Sequence, residues 1–150
     1  MLAADILQKF VDEMGEAVMR ERFDDYRAGV RLPLDILTSV ASLTVSTVED
    51  LRGGFDDFTE MLRNRSVTDM IRVVMDAGFE SPDCVVGIYE TNLLSGDQHV
   101  VPPFYSKMWL CRSGDAWQAT KIHNTTQDHR WPMLLSRVNP VQWPPKELIQ

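Results

Sequence analysis

The chain has 150 residues, 44% hydrophobic and 25% charged, with 15 Lys+Arg against 22 Asp+Glu for a net charge of −7. That length fits one domain, and the composition excludes wholesale disorder. The acidic balance has no Lys/Arg cluster to offset it, which argues against nucleic acid or an anionic membrane as the main partner, because phosphate recognition needs a cationic surface.

The first residues, Met1-Leu2-Ala3-Ala4-Asp5, lack the basic start of a secretory signal. No apolar run approaches the ~18 residues that a membrane helix needs. The expected location is the cytoplasm. There the sequons Asn64-Arg65-Ser66 and Asn124-Thr125-Thr126 are chance matches, and Cys84 and Cys111 are expected as reduced thiols, too few and too far apart for a zinc site.

Residues 4 to 26 read as one amphipathic helix. Ile6/Leu7, Phe10, Met14 and Ala17/Val18 keep an i, i+3/i+4 rhythm, while Asp12, Glu13, Glu16, Arg20 and Glu21 mark the wet side. Gly29 is the expected stop. Two short strand-like runs follow, Leu32–Leu37 and Ser42–Ser46, with Pro33 placing the first at an edge or a strand start. Ser46-Thr47-Val48-Glu49 has the form of a capping box opening a second helix, which carries Leu51, Phe55, Phe58 and Leu62 inward. Gly53-Gly54 inside that helix costs about 1 kcal/mol per glycine and marks either a close helix–sheet contact, a kink, or backbone opened to a ligand.

From residue 67 the period changes from 3.6 to 2, with Val67 to Phe79 alternating along one strand. Turns at Ser81-Pro82-Asp83, Ser95-Gly96-Asp97 and Ser113-Gly114-Asp115 lead into Cys84–Leu94, Val100–Arg112 and Trp117–Thr125. Strands joined by tight turns make an antiparallel meander, with Pro102-Pro103 at an edge or bulge. Across the second turn Cys84 falls close to Cys111 on the neighbouring strand, nearby but not expected to be bonded. Helices cluster in the first half and strands in the second, the signature of an α+β fold. A curved sheet wrapped by helices makes a cone, and the open end of a cone is a pocket.

The stretch from Phe58 to Ile122 resembles an NTF2-like (SnoaL-like, ketosteroid-isomerase-like) domain. The features that carry the resemblance are a helix ending near Leu62-Arg63, the strand opening Val67-Thr68-Asp69-Met70, the run Cys84-Val85-Val86-Gly87-Ile88-Tyr89-Glu90-Thr91, and the last hairpin, Met108-Trp109-Leu110-Cys111-Arg112 to Gly114-Asp115-Ala116-Trp117. The order of the upstream helix and hairpin extends the resemblance to residues 4–126. It implies a cone of N-terminal helices on a curved, mainly antiparallel sheet, over a domain of residues 1–126, with a Pro/Trp-rich tail of residues 127–150 packed on it. The family spans isomerases, cyclases, dehydratases, transport factors and oligomerisation modules, so the resemblance assigns no chemistry. The Tyr/Asp/Asp set of the isomerases and the His–Asp dyad of the dehydratases have no match here.

Candidate ligand-binding residues are therefore read from the pattern. Tyr105, Lys107, Trp109, Lys121 and His123 share one parity across the last hairpin, with Tyr105 expected near His123 and Trp109 near Ala119. This mixed aromatic and cationic face lines a cleft for an organic anion or forms a dimer face. The opposite parity, Phe104, Met108, Leu110 and Ile122, is core. His123 is a titratable group within a strand, Asp35 a carboxylate between Leu34 and Ile36, and Phe23 and Tyr26 are candidate walls of the cone mouth. His99, His123 and His129 lack metal-ligand spacing, and no phosphate loop or nucleophile elbow is present, so no metal or cofactor is expected.

Three functions remain open: a small-molecule-binding domain taking a small hydrophobic or anionic ligand; a cofactor-free lyase or isomerase, with His123 and Asp35 or Tyr105 moving a proton; and a closed interaction module. A homodimer through the outer face of the meander is expected in each, because a curved sheet with one helical layer leaves that face bare.

Overall fold

The structure, a computed structural model, describes residues 1–38 and 42–124. Its elements run α1 (Ala3–Met19), α2 (Phe23–Ala28), β1 (Val30–Leu37), β2 (Ser42–Val45), α3 (Val48–Asn64), β3 (Asp69–Ser81), β4 (Cys84–Ser95), β5 (Gln98–His99), β6 (Phe104–Ser113) and β7 (Ala116–Asn124). One curved sheet has the order β2-β1-β7-β6-β4-β3, with β5 beside β4. All its pairs are antiparallel except β1 with β7. The α+β cone expected from the pattern is present. The tail of residues 127–150 lies outside the described residues.

Local chemistry sets the boundaries, and several differ from the sequence expectation. The first helix is two helices. Glu21 adopts φ 56°, in the left-handed region, and the amides of Glu21 and Arg22 bond back to the carbonyls of Val18 and Ala17, closing α1 before α2 starts. The cap of α3 is Thr47, one residue later than the capping box implied, its side chain accepting from the Asp50 amide at 3.1 Å. Nor is β1 an edge strand, since β2 and β7 flank it. Pro33 is tolerated because it falls in the irregular stretch between the Val30↔Ala119 and Asp35↔Lys121 pairs and before the first β1–β2 pair, Leu34↔Val45.

The core lies between α1 and the concave face of the sheet. Leu7, Val11 and Val18 of α1 meet Leu34, Val85, Leu93 and Leu110, all fully or almost fully buried. Contact is closest at Gly87, where an added Cβ would sit 2.7 Å from the Asp76 carbonyl oxygen and 2.8 Å from the Ala77 Cβ, as well as against Leu7. Glycine here lets the helix lie directly on β4. On the free edge of β3, Gln8 of α1 takes the place of a missing strand: its Nε2 donates to the Arg72 carbonyl at 2.7 Å and its Oε1 accepts from the Val74 amide at 2.9 Å.

The β4–β6 register sets Cys84 directly opposite Cys111, as the turn spacing implied, with Cα atoms 4.2 Å apart. The two are joined as a disulfide, and this corrects the expectation of reduced thiols. The physical reason is the pairing itself, which gives each sulfur the other as its nearest partner. Among the described residues no helix is long and apolar enough to cross a membrane.

Candidate functional site

Alternation decides which side chains of β3 face the cone. Ile71, Val73 and Met75 look like the inward set by hydropathy, yet they are 48%, 43% and 45% exposed. Met70, Arg72 and Val74 take the concave side instead, facing the buried Leu93, Thr91 and Tyr89 across β4. A bulge between the Val74↔Tyr89 and Asp76↔Ile88 pairs then shifts the parity by one residue and brings Ala77 against Gly87. A guanidinium has thereby been placed where an apolar residue belongs.

The neighbouring strands add polar groups in two adjacent rows. One row runs Arg72, Thr91, Phe104 and the next runs Val74, Tyr89, Ser106, Asn124. The Ser106 hydroxyl donates to Asn124 Oδ1 at 2.7 Å, so this buried pair is mutually satisfied. The first row is not. Arg72 Nε and Thr91 Oγ1 are both buried without a hydrogen-bond partner, and Thr91 is completely inaccessible. The guanidinium carbon of Arg72 sits 5.5 Å from the centroid of the Tyr89 ring, a cation–π contact worth about 1 kcal/mol.

These residues line an interior cavity of about 60 Å³. Its remaining wall is apolar and aromatic: Met14 and Val18 of α1, Tyr26 of α2, Gly54, Phe55 and Phe58 of α3, Leu34, and Met108 and Ile122 of the sheet. The rings of Tyr26 and Phe55 lie 5.1 Å apart and close one side. Burial raises the Tyr26 hydroxyl from its ordinary range to about 12, against the opposing pull of the Arg72 charge. At neutral pH Tyr26 is therefore a neutral hydrogen-bond donor, and Arg72 is the one charged residue among those described that line the cavity.

The expected site residues divide between the two faces. Tyr26 lines the cavity. Phe23 is buried beside it, edge-on to Phe55 at 5.3 Å and covered by Arg52, but belongs to the core and not to the lining. Tyr105, Trp109, Lys121 and His123 share one face as alternation required, and that face is the convex one, away from the cavity. Their pairing also differs from the expected one. Lys107 faces His123 and Trp109 faces Lys121, because a two-residue turn at Gly114-Asp115 and a bulge at Thr120 together shift the register. Lys107 and Lys121 lie 4.9 and 4.7 Å from the Trp109 ring. Tyr105 donates to Glu90, and burial followed by that bond raises its pKa. Asp35 is exposed, opposite Lys121, and accepts from the Thr44 hydroxyl at 3.0 Å. Asp35, Tyr105 and His123 are thus not brought to the cavity. Among the described residues no group of His, Cys, Asp or Glu could hold a metal ion.

Arg72, Thr91, Ser106 and Asn124 escaped the sequence reading. The signal that could have found Arg72 was available: a charge between Met70 and Val74, flanked on the other parity by the apolar Ile71, Val73 and Met75. The hydropathy of Ile71, Val73 and Met75 pointed the other way.

No family model matches the chain, and no curated protein matches it. Solved structures do. An NTF2-like protein of unknown function from Pseudomonas putida superposes with a TM-score of 0.60 at 11% identity, over 88% of this chain and 96% of that one. One from Shewanella oneidensis gives 0.58 at 13%, over 81% and 97%. A protein from Shewanella frigidimarina, provisionally designated a ketosteroid isomerase, gives 0.57 at 10%, over 78% and 92%. The chain has the NTF2-like, cystatin-like α+β fold, and at these identities the likeness is one of fold.

Proposed function

We propose that this protein is a small-molecule-binding NTF2-like domain that takes its ligand into the cone. The observation that carries the reading is the pair of buried, unpartnered polar atoms, Arg72 Nε and Thr91 Oγ1, in the wall of an otherwise apolar cavity. A protein that only needed a closed core would gain by filling this position with an apolar side chain, because each unsatisfied buried polar group costs about 1–3 kcal/mol. The cavity has the apolar body and few convergent polar groups of a ligand site, and its volume of about 60 Å³ commits the reading to a compact ligand.

Binding is favoured over proton-transfer chemistry by the composition of the lining. Among the described residues it offers donors, Arg72, Tyr26 and Thr91, but no carboxylate and no imidazole to accept a proton.

The test is nuclear magnetic resonance of the methionine methyl groups during titration with a fragment set of small aryl carboxylates and ketones. Met14 and Met108 line the cavity and Met75 sits on the exposed convex face. Shifts at Met14 and Met108, with Met75 unmoved, are expected. A set in which no compound moves Met14 or Met108 would defeat the reading.

The second element is self-association. Ile71, Val73 and Met75 make an exposed apolar stripe on the convex side of an edge strand. A two-fold partner of the same chain would cover that stripe with an identical one.

A further inference from the structure

The geometry points to an organic monoanion as the ligand, a carboxylate with a compact apolar or aryl body, bound by Arg72 and Thr91 at the sheet end of the cavity. This rests on the binding reading above and deepens it by naming the ligand class.

The argument starts from charge. Arginine cannot discharge by losing its proton, so a guanidinium set into a core stays a cation and needs an anion or water to offset its lost solvation. Arg72 is half-buried, but its Nε is buried and has no hydrogen-bond partner among the described residues, and no ion pair within them joins the side chain to a carboxylate. The contact with the Tyr89 ring recovers only a small part of the cost. The backbone, by contrast, is pinned: Gln8 of α1 holds both the Arg72 carbonyl and the Val74 amide. The described chain fixes the position of a cation and supplies no ion pair for it.

Hydrogen-bond geometry narrows the class. Thr91 lies directly opposite Arg72 on the neighbouring strand, and its hydroxyl is the other buried orphan. A guanidinium edge and an adjacent hydroxyl together offer the donors that the two oxygens of one carboxylate accept. Tyr26, kept neutral by burial, is a further donor in the same wall. One cation matches one negative charge. A phosphate dianion would leave a buried charge unmatched, and the chain already carries a net charge of −7.

Shape fixes the orientation. The unpartnered polar atoms lie on β3 and β4, while Phe55 and Phe58 of α3 and Met14 of α1 form the opposite wall. A ligand with its carboxylate against Arg72 therefore lays its apolar body on the aromatic wall.

The experiment compares propionate with propionamide, and benzoate with benzamide, by calorimetry on the full chain, the smaller pair matched to a cavity of about 60 Å³. Each pair has nearly the same shape and differs in charge. We expect each carboxylate to bind wild-type protein at least about tenfold more tightly than its amide. Arg72→Met is expected to abolish that preference by weakening the carboxylates far more than the amides, and Arg72→Lys to retain only part of it, because the ammonium keeps the charge and loses the fork. Thr91→Val, the same shape without the hydroxyl, is expected to weaken the carboxylates by about 2–10-fold. Should Arg72→Met not fold, the wild-type pairs together with Arg72→Lys and Thr91→Val decide. If amide and carboxylate bind wild type equally, the anion inference is overturned and the binding reading stands. If none of the four binds at millimolar concentration, the inference is overturned, and the methionine titration then decides the binding reading separately.

Discussion

On the concave face of the sheet the residues that break the apolar pattern are Arg72, Thr91, Ser106 and Asn124, gathered in two neighbouring cross-strand rows. On the convex face the residues that break the polar pattern are Ile71, Val73 and Met75, gathered on one edge strand. Both sets come from the same few residues of β3, one parity apart. The two faces obey one rule, that a side chain should match its surroundings, and each departs from it in one place. In the proposed reading, a small molecule would complete the concave rows and a second copy the convex stripe.

The sharpest way to test the division is to truncate adjacent residues of β6 that point to opposite faces. Leu110 is fully buried and Trp109 is half-buried on the convex side. Leu110→Ala should cost about 2–5 kcal/mol, the usual range for emptying a core position. Trp109→Ala removes a larger side chain, together with its contacts to Lys107 and Lys121, but should cost less than half as much. Chemical denaturation of the two variants measures this. Equal losses would mean that the convex face is core in all but name.

The convex stripe carries the next largest effect. Wild-type protein is expected to sediment as a dimer at ~100 µM, well above the ~µM range of moderate interfaces. Val73→Glu sets a charge in the middle of the stripe, beside Glu90 on the neighbouring strand. It should weaken association at least about tenfold while costing the monomer no more than about 1 kcal/mol, since Val73 is already 43% exposed and the only new clash is with Glu90 opposite it. A wild-type monomer at that concentration removes the self-association reading and leaves the apolar stripe unexplained.

These contrasts also show what the sequence could reveal. The order of elements was legible because each carries its own period: the 3.6 rhythm of Ile6 to Val18 and the alternation through Cys84–Leu94 need no tertiary information. The pairing of Cys84 with Cys111 was legible because a tight turn fixes register. What could not be read was the sense of each face. Alternation tells which residues share a side, not which side is inward, and on β3 the more apolar parity points out. Bulges at Met75 and Thr120 add a second obstacle, because each moves the register by one residue and neither has a composition that announces it. Candidate sites chosen by chemical variety, such as Tyr105, Trp109, Lys121 and His123, therefore fell on the convex face. Tyr26 was expected at the end of one long helix; it lies in the cavity wall on a separate short helix, α2, packed against Phe55.

The smallest expected effect concerns Tyr26 itself and tests whether the cavity wall is as dry as its lining implies. Burial raises its hydroxyl from 10.0 to about 12. The sign follows from linkage. A group whose pKa is raised by folding favours the protonated native state, so its contribution is fully present below pH 10 and is lost as pH rises through 12, because the unfolded chain ionises first. Lysines and the other tyrosines titrate in the same range, so the quantity to measure is the difference between wild type and Tyr26→Phe. Phenylalanine keeps the ring contact with Phe55, 5.1 Å away, and has no proton to lose. Relative to its value at pH 9, the wild-type protein should lose about 1 kcal/mol against the variant by pH 11, near the value that a shift of this size gives. The side chain is half-buried, which argues for the lower side of that figure. A difference that stays flat from pH 9 to pH 11 would mean that Tyr26 ionises in the folded protein as it does in water. The wall beside Arg72 would then be wet, the guanidinium would have solvent as its partner, and the case for an anionic ligand would lose its electrostatic premise.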